Sequence, residues 1–294
     1  MMKYTSIGVS YAFCWGFGIT LSKVALSEIS ATTLLIIQLI SSLLFLLTIC
    51  YCKNGEFPLS RKSWQQGIAG IFEPALAYMA GTIGLSLTTA TNASLIGSTE
   101  VVLTILCAAV ILKEKLTLTK FILAGTSFCG IFFLIGEDLH SGTNSSFIGD
   151  LFVLLGVFFA VGYALLSKAQ INKVNPLKLV TAQQFVGLIA TALGFGVLSA
   201  FHSNYKISAV GIPLQFLSIA IISGIMQYAL AFWLYLTALQ TFPVSYAAFY
   251  VGLIPVFGVV SAILILGEFP NLIQWIGAVL IILSSYFANR LQVS

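Results

Sequence analysis

The sequence predicts an all-α integral membrane protein of ten transmembrane helices, built as two inverted five-helix repeats. Three observations carry that expectation: an apolar composition, an internal repeat, and a one-sided distribution of basic residues. Of 294 residues, 59% are hydrophobic and only 7% charged, and the mean hydropathy is +1.04. A soluble domain carries roughly a quarter charged residues, so this chain lacks the material for a polar shell.

The repeat is visible without a gap. Ala69 to Phe133 aligns with Ser223 to Phe287, and about a quarter of the positions are identical. Gly70-Ile71 pairs with Gly224-Ile225, Ala75-Leu76-Ala77 with Ala229-Leu230-Ala231, Ala93 with Ala247, and Glu114 with Glu268. The first repeat is expected over 1–136, the second over 147–290, and the polar, turn-rich stretch 137–146 is expected to join them outside the membrane. Copies with an odd number of spans point in opposite directions, the arrangement of alternating-access carriers with a site between the halves.

Spans of about 20 apolar residues are read in order at 5–26, 32–52, 66–88, 92–112, 119–135, 147–167, 179–200, 213–238, 243–266 and 271–289. The links are short and leave no room for a soluble domain. Lys3, Lys53, Arg61, Lys62, Lys113, Lys115, Lys120, Lys168, Lys173, Lys178 and Arg290 fall on one side, against Lys23 and Lys206 on the other. The positive-inside rule then predicts a multi-pass protein of the inner (plasma) membrane with both termini cytoplasmic. That requires an even span count, in agreement with ten. The first apolar run has no small-residue cleavage site and reads as a retained span.

Composition also excludes function classes. A net charge of +4 with no basic cluster gives no nucleic-acid footprint. The cysteines (Cys14, Cys50, Cys52, Cys107, Cys129) are odd in number and sit in apolar segments, as small buried residues do. The histidines, His140 and His202, fall in links, and no metal-ligand spacing or phosphate loop occurs. No cofactor and no metal are expected, and the chain reads as a non-enzyme. The partners expected are a small-molecule solute and membrane lipids; oligomeric state is left open. A membrane-embedded enzyme would need clustered catalytic groups, and a channel a filter motif or subunit symmetry.

Several short motifs resemble the EamA-type family of the drug/metabolite transporter superfamily. They are Trp15-Gly16-x₆-Lys23 in span 1, Gly149-Asp150 opening the second half, and the endings Leu112-Lys113-Glu114-Lys115-Leu116 and Leu266-Gly267-Glu268 of spans 4 and 9. The resemblance covers nearly the whole chain. Departures are Gln38 where Arg is frequent, Val101 where Pro is usual (Pro255 keeps it in span 9), and Lys113 for Gly. The resemblance implies a ten-helix bundle with spans 1, 3, 4, 6, 8 and 9 around a central cavity and spans 5 and 10 peripheral. It also implies transport of small organic solutes such as amino acids, often outward.

Candidate site residues follow from depth and helical spacing. Span 1 presents Tyr11, Trp15, Gly18 and Ser22 on one stripe; the equivalent stripe of span 6 is Gly156, Ala160, Tyr163 and Ser167. Glu100 lies eight positions past Asn92, roughly 12 Å into a core about 30 Å thick. A carboxylate there must be protonated, paired or wetted. It either binds a substrate amine or couples a proton, or it stays neutral and bonds a neighbouring helix. Glu73 precedes Pro74, which removes a backbone donor and should bend span 3; its repeat partner is Gln227. Tyr235 and Tyr250 offer mid-span hydroxyls in an aromatic stretch suited to an apolar or cationic solute. The expected substrate-binding set is Trp15, Glu73, Tyr78, Asn92, Glu100, Tyr163, Gln227, Tyr235 and Tyr250, with Glu100 and Glu73 also candidates for proton coupling. Lys23 is read as snorkelling to the interface, Glu268 as making helix-end hydrogen bonds, and Gln38 and Gln183 as bonding across helices.

Overall fold

In the computed structural model the described residues form helices and their connections, with no strand among them. The structure describes residues 2–54, 61–97, 99–100, 102–103, 107, 118–119, 122–123, 125–126, 129–130, 133, 144–168, 170–171, 174–201, 207–208, 210–241 and 250–291. Most of predicted span 5, the far end of span 4, His140, His202, Tyr246, Phe249, Glu114 and the linker up to 143 lie outside them. The last linker positions, from Asn144, already belong to a helix.

The chain opens with α1 (Met2–Ala25) and α2 (Ala31–Asn54). Next, α3 (Arg61–Gly67) continues through a 3₁₀ turn (Ile68–Ile71) and a π-helical turn (Phe72–Leu76) into α4 (Ala77–Leu87), and α5 spans Ala90–Gly97. In the second half α6 (Asn144–Lys168) and α7 (Pro176–Phe201) precede α8 (Leu214–Gly224), a π-helical turn (Ile225–Leu230) and α9 (Ala231–Thr241). The series ends with α10 (Ile254–Leu266) and α11 (Leu272–Leu291). Among the described residues, five segments are long and apolar enough to cross a membrane: Ala31–Lys53, Trp64–Leu87, Ser146–Ser167, Pro176–Ala200 and Leu214–Gln240. Ile254–Leu266 and Leu272–Ser284 are shorter apolar helices.

The segment Trp64–Leu87, predicted span 3, breaks where its sequence says it must. Pro74 cannot donate to the helix ladder, and Glu73 adopts extended backbone (φ −145°, ψ 124°). The second half has a π-helical turn at the repeat-equivalent place, around Gln227. Such widened turns recur at functional sites because they re-aim side chains and free backbone groups.

Close helix approach is bought with missing side chains at a few crossings. A Cβ on Gly84 of α4 would lie 2.6 Å from Gly149 O of α6, and one on Gly149 would lie 2.8 Å from Gly84 O. Gly16 of α1 is pressed likewise on α10, 2.6 Å from Ile254 O and 2.8 Å from Gly258 N for a built Cβ. Small residues let helices pack through dispersion where lipid removes the hydrophobic drive. Apolar packing fills the rest: Leu95, Ile96, Val157, Val161, Val259 and Ile281 join α5, α6, α10 and α11, while Leu46, Leu179, Val180, Phe232 and Leu236 join α2, α7 and α9.

Two contacts occur twice, between residues that the sequence repeat pairs. Gly70 lies against the backbone of Gln183, and Gly224 against the backbone of Gln38. Gln38 Nε2 donates to Ser22 Oγ at 2.7 Å, and Gln183 Nε2 to Ser167 Oγ at 3.2 Å. Both glutamines bond across helices, as read from the sequence.

Candidate functional site: a central cavity and the polar network that caps it

A cavity of about 150 Å³ lies among α1, α4, α5, α6, α9 and α10, together with the two π-helical turns. These elements correspond to predicted spans 1, 3, 4, 6, 8 and 9. The break at Glu73 places its side chain on the cavity wall although the residue is only 8% exposed. Glu100, helical and half-buried, lines the same space. Glu73 and Glu100 thus bring two carboxyl groups to one cavity.

Aromatic rings form much of the remaining wall. Trp15 Nε1 donates to Tyr78 Oη at 2.9 Å, and the Tyr78 hydroxyl is in turn within reach of the Glu73 carboxyl. Tyr78 and Tyr228 have ring centroids 4.4 Å apart. Trp15 meets Tyr235 edge-on at 5.5 Å and Phe232 at 5.0 Å. Tyr163 Oη donates to Gln183 Oε1 at 2.9 Å, which locks that ring against α7. Ser22 accepts from Gln38 and stands 3.1 Å from Gln227 Oε1.

A second, different arrangement adjoins the cavity. The residues involved lie just beyond the lining positions on α1, α4, α5 and α6. Lys23 Nζ donates to Leu85 O at 2.8 Å and also to Thr88 O, carbonyls at the C-terminal end of α4 that have no helical partner. Thr88 Oγ1 donates to Asp150 Oδ1 at 2.5 Å, and Asn92 Nδ2 to Asp150 Oδ2 at 3.2 Å. Gly267, at φ 67°, ends α10 in the left-handed conformation that glycine tolerates. The carboxylate of Glu268, the next residue, then accepts from the backbone N–H of Ala90 (3.2 Å) and Thr91 (3.0 Å). An anion at the start of α5 also complements that helix's dipole.

A chain with two copies of a helical unit around one cavity is reflected in its relatives. The sequence matches the EamA-like transporter family over residues 2–136 and again over 147–290. The chain belongs to that family. It is 30% identical to an uncharacterized transporter of Archaeoglobus fulgidus over 287 residues, covering 96% of this chain and 84% of that one. It is 22% identical to the uncharacterized transporter YetK of Bacillus subtilis, covering 96% and 85%. A solved crystal structure superposes with a TM-score of 0.67 over 99% of this chain and 98% of its own, at 14% identity, which speaks to the fold. The protein is therefore a multi-pass membrane protein of a transporter family.

For this EamA-like protein the structure gathers Trp15, Glu73, Tyr78, Glu100, Tyr163, Gln227 and Tyr235 around the cavity. It does not bring Asn92 or Tyr250 to the wall. Asn92 is fully buried in the capping network, and Tyr250 meets Tyr11 edge-on with ring centroids 6.5 Å apart. Tyr11 and Gly18 do not line the cavity, whose α1 wall is Trp15, Ile19 and Ser22; Tyr11 packs edge-on against Trp15 and Tyr235. Lys23, read as snorkelling, is held by the α4 carbonyls of Leu85 and Thr88. Glu268 meets its expectation of helix-end bonds. Sequence reading missed Asp150 as a structural hub and Tyr228 as a wall residue. For Asp150 the available signal was a lone carboxylate one turn above the small-residue stripe of span 6.

Proposed function

We propose that this protein is a secondary transporter that moves a small organic metabolite, an amino acid or related amphipathic or cationic solute, across the cytoplasmic membrane by alternating access. The single observation that carries the reading is the cavity between elements of both halves, with buried polar groups on its wall and a polar network beside it. In this reading residues 1–136 and 147–290 are inverted five-helix repeats with both termini cytoplasmic. The doubled Gly70–Gln183 and Gly224–Gln38 contacts support it. Lys23 then sits toward the outer face, and the cap around Asp150 seals the outward path. The direction, export, rests on the family resemblance. Trp15, Glu73, Tyr78, Glu100, Tyr163, Gln227 and Tyr235 contact the solute, and Glu100 and Glu73 carry any coupled proton.

Single cysteines at Trp15 and Ile19 in a cysteine-free background test the mechanism. Gly18 is a poor reporter, because a Cβ there lies 2.8 Å from Gln227 Cβ. Cysteine at either position should react with a membrane-impermeant thiol reagent from one face at a time, and the preferred face should change when a transported solute is added. Equal reaction from both faces identifies a pore and ends the carrier reading.

A further inference from the structure

The wall chemistry narrows the solute beyond the carrier reading on which this inference rests. Glu73 and Glu100 share one cavity, and among the described residues no Lys, Arg or His lines it. Lys23, one turn away, is committed to the carbonyls of Leu85 and Thr88. Glu73 is more than nine-tenths buried, faces the cavity, and forms no ion pair with any described residue. The fold does not demand either carboxyl. The repeat counterpart of Glu73 is Gln227, that of Glu100 is Ile254, and both counterparts also face the cavity. Two carboxyl groups have thus been placed on one side of a nearly symmetric wall, with no cation beside them among the described residues.

We propose that the transported solute is a small organic monocation, a primary or quaternary ammonium carried on a ring-sized apolar body. The ammonium takes the place of the missing counter-ion beside Glu73 and Glu100. The faces of Trp15, Tyr78, Tyr228 and Tyr235 surround the body and add cation–π attraction. The volume agrees: a cavity of about 150 Å³ accepts a benzene-sized guest. A free amino acid fits less well. Its carboxylate finds two carboxyl groups, no cation, and an indole N–H already given to Tyr78. Like charges at short range in a site of low dielectric are strongly disfavoured.

The experiment uses the purified full-length protein and three probes that share one ring: benzyltrimethylammonium, phenylalanine and benzoate. Binding is read by calorimetry, and movement by counterflow in proteoliposomes. Benzyltrimethylammonium should bind saturably, at least about tenfold more tightly than the other two, and should exchange across the membrane. Either Glu73→Gln or Glu100→Gln should weaken it by about tenfold, as expected for losing one charged contact. A measurement on the unaltered protein guards against variants that fail to fold. Dicyclohexylcarbodiimide should label Glu73 and Glu100, and benzyltrimethylammonium should protect both from labelling, read by peptide mass spectrometry. If phenylalanine or benzoate binds and exchanges while the cation does neither, the cation assignment falls and the carrier reading stands. Labelling of both carboxyls without protection also overturns the assignment. If no probe binds or moves, the assignment is overturned and the cavity loses its standing as a solute site.

Discussion

The middle of the bundle and its capped end handle buried polarity in opposite ways. At the cap every charge has a fixed protein partner. Lys23 is held by carbonyls of α4, Asp150 by Thr88 and Asn92, and Glu268 by the first amides of α5. In the cavity Glu73 has only the Tyr78 hydroxyl within reach, and no cation among the described residues lines the wall. A buried charge without a partner is expensive in a membrane. The cap therefore reads as structure, a closure that holds five elements together. The cavity reads as a place kept for a guest. Stability and transport should accordingly separate between the two regions.

The largest separation is expected at Asp150. Asp150→Ala leaves the Thr88 hydroxyl and the Asn92 amide without their acceptor, at about 1–3 kcal/mol each. The unfolding midpoint in detergent titration should fall by an amount equivalent to about 2–5 kcal/mol. A midpoint unchanged within error would mean that the cap is not a stability element. At the cavity the effect should reverse. Glu100→Gln should reduce solute exchange by about tenfold or more, abolish whatever pH dependence the exchange has, and leave the unfolding midpoint nearly where it was. Exchange at the parental rate and pH profile in folded protein removes Glu100 from the mechanism.

A finer test uses the two glutamines that the repeat pairs. Gln183 Oε1 accepts from Tyr163, whereas Gln38 Oε1 is buried with no partner among the described residues, and the position equivalent to Tyr163 is Gly18. Gln183→Leu orphans a tyrosine hydroxyl; Gln38→Leu removes an orphan. Gln183→Leu should be the more destabilising by about 1–3 kcal/mol, measured by the same titration. Equal losses would show that the two halves satisfy these positions alike. The smallest effect is expected for Trp15→Phe, which keeps the ring and loses one hydrogen bond to Tyr78. Stability should drop by about 0.5–1.5 kcal/mol, and solute affinity by a few-fold. A loss as large as that of Glu100→Gln would make the indole a direct ligand.

Much of this was legible because helical periodicity and repetition are properties of the chain alone. The break at Glu73-Pro74 follows from a missing backbone donor, and it appears where Pro74 stands. Glu73, Glu100 and Gln227 stand out by polarity in apolar stretches, and all face the cavity. Asn92 stands out for the same reason and yet serves the cap, because its neighbour Asp150 comes from the other half. Depth along a span cannot distinguish the two cases, since partners 58 residues away in the chain are invisible to spacing. Lys23 illustrates the same point: snorkelling is the sensible reading of a lysine near a helix end until a second helix brings its unpaired carbonyls within 2.8 Å.

The amino-acid order thus decides that the chain lives in a membrane, that it contains one helical unit twice, and which polar side chains must be accommodated inside. These follow from transfer free energy and from backbone chemistry, which act locally. Whether a given buried polar group is satisfied by the protein or left facing open space depends on which helices touch. That outcome is set by glycine-thin crossings such as Gly84 on Gly149, where a single methyl group would push the helices apart.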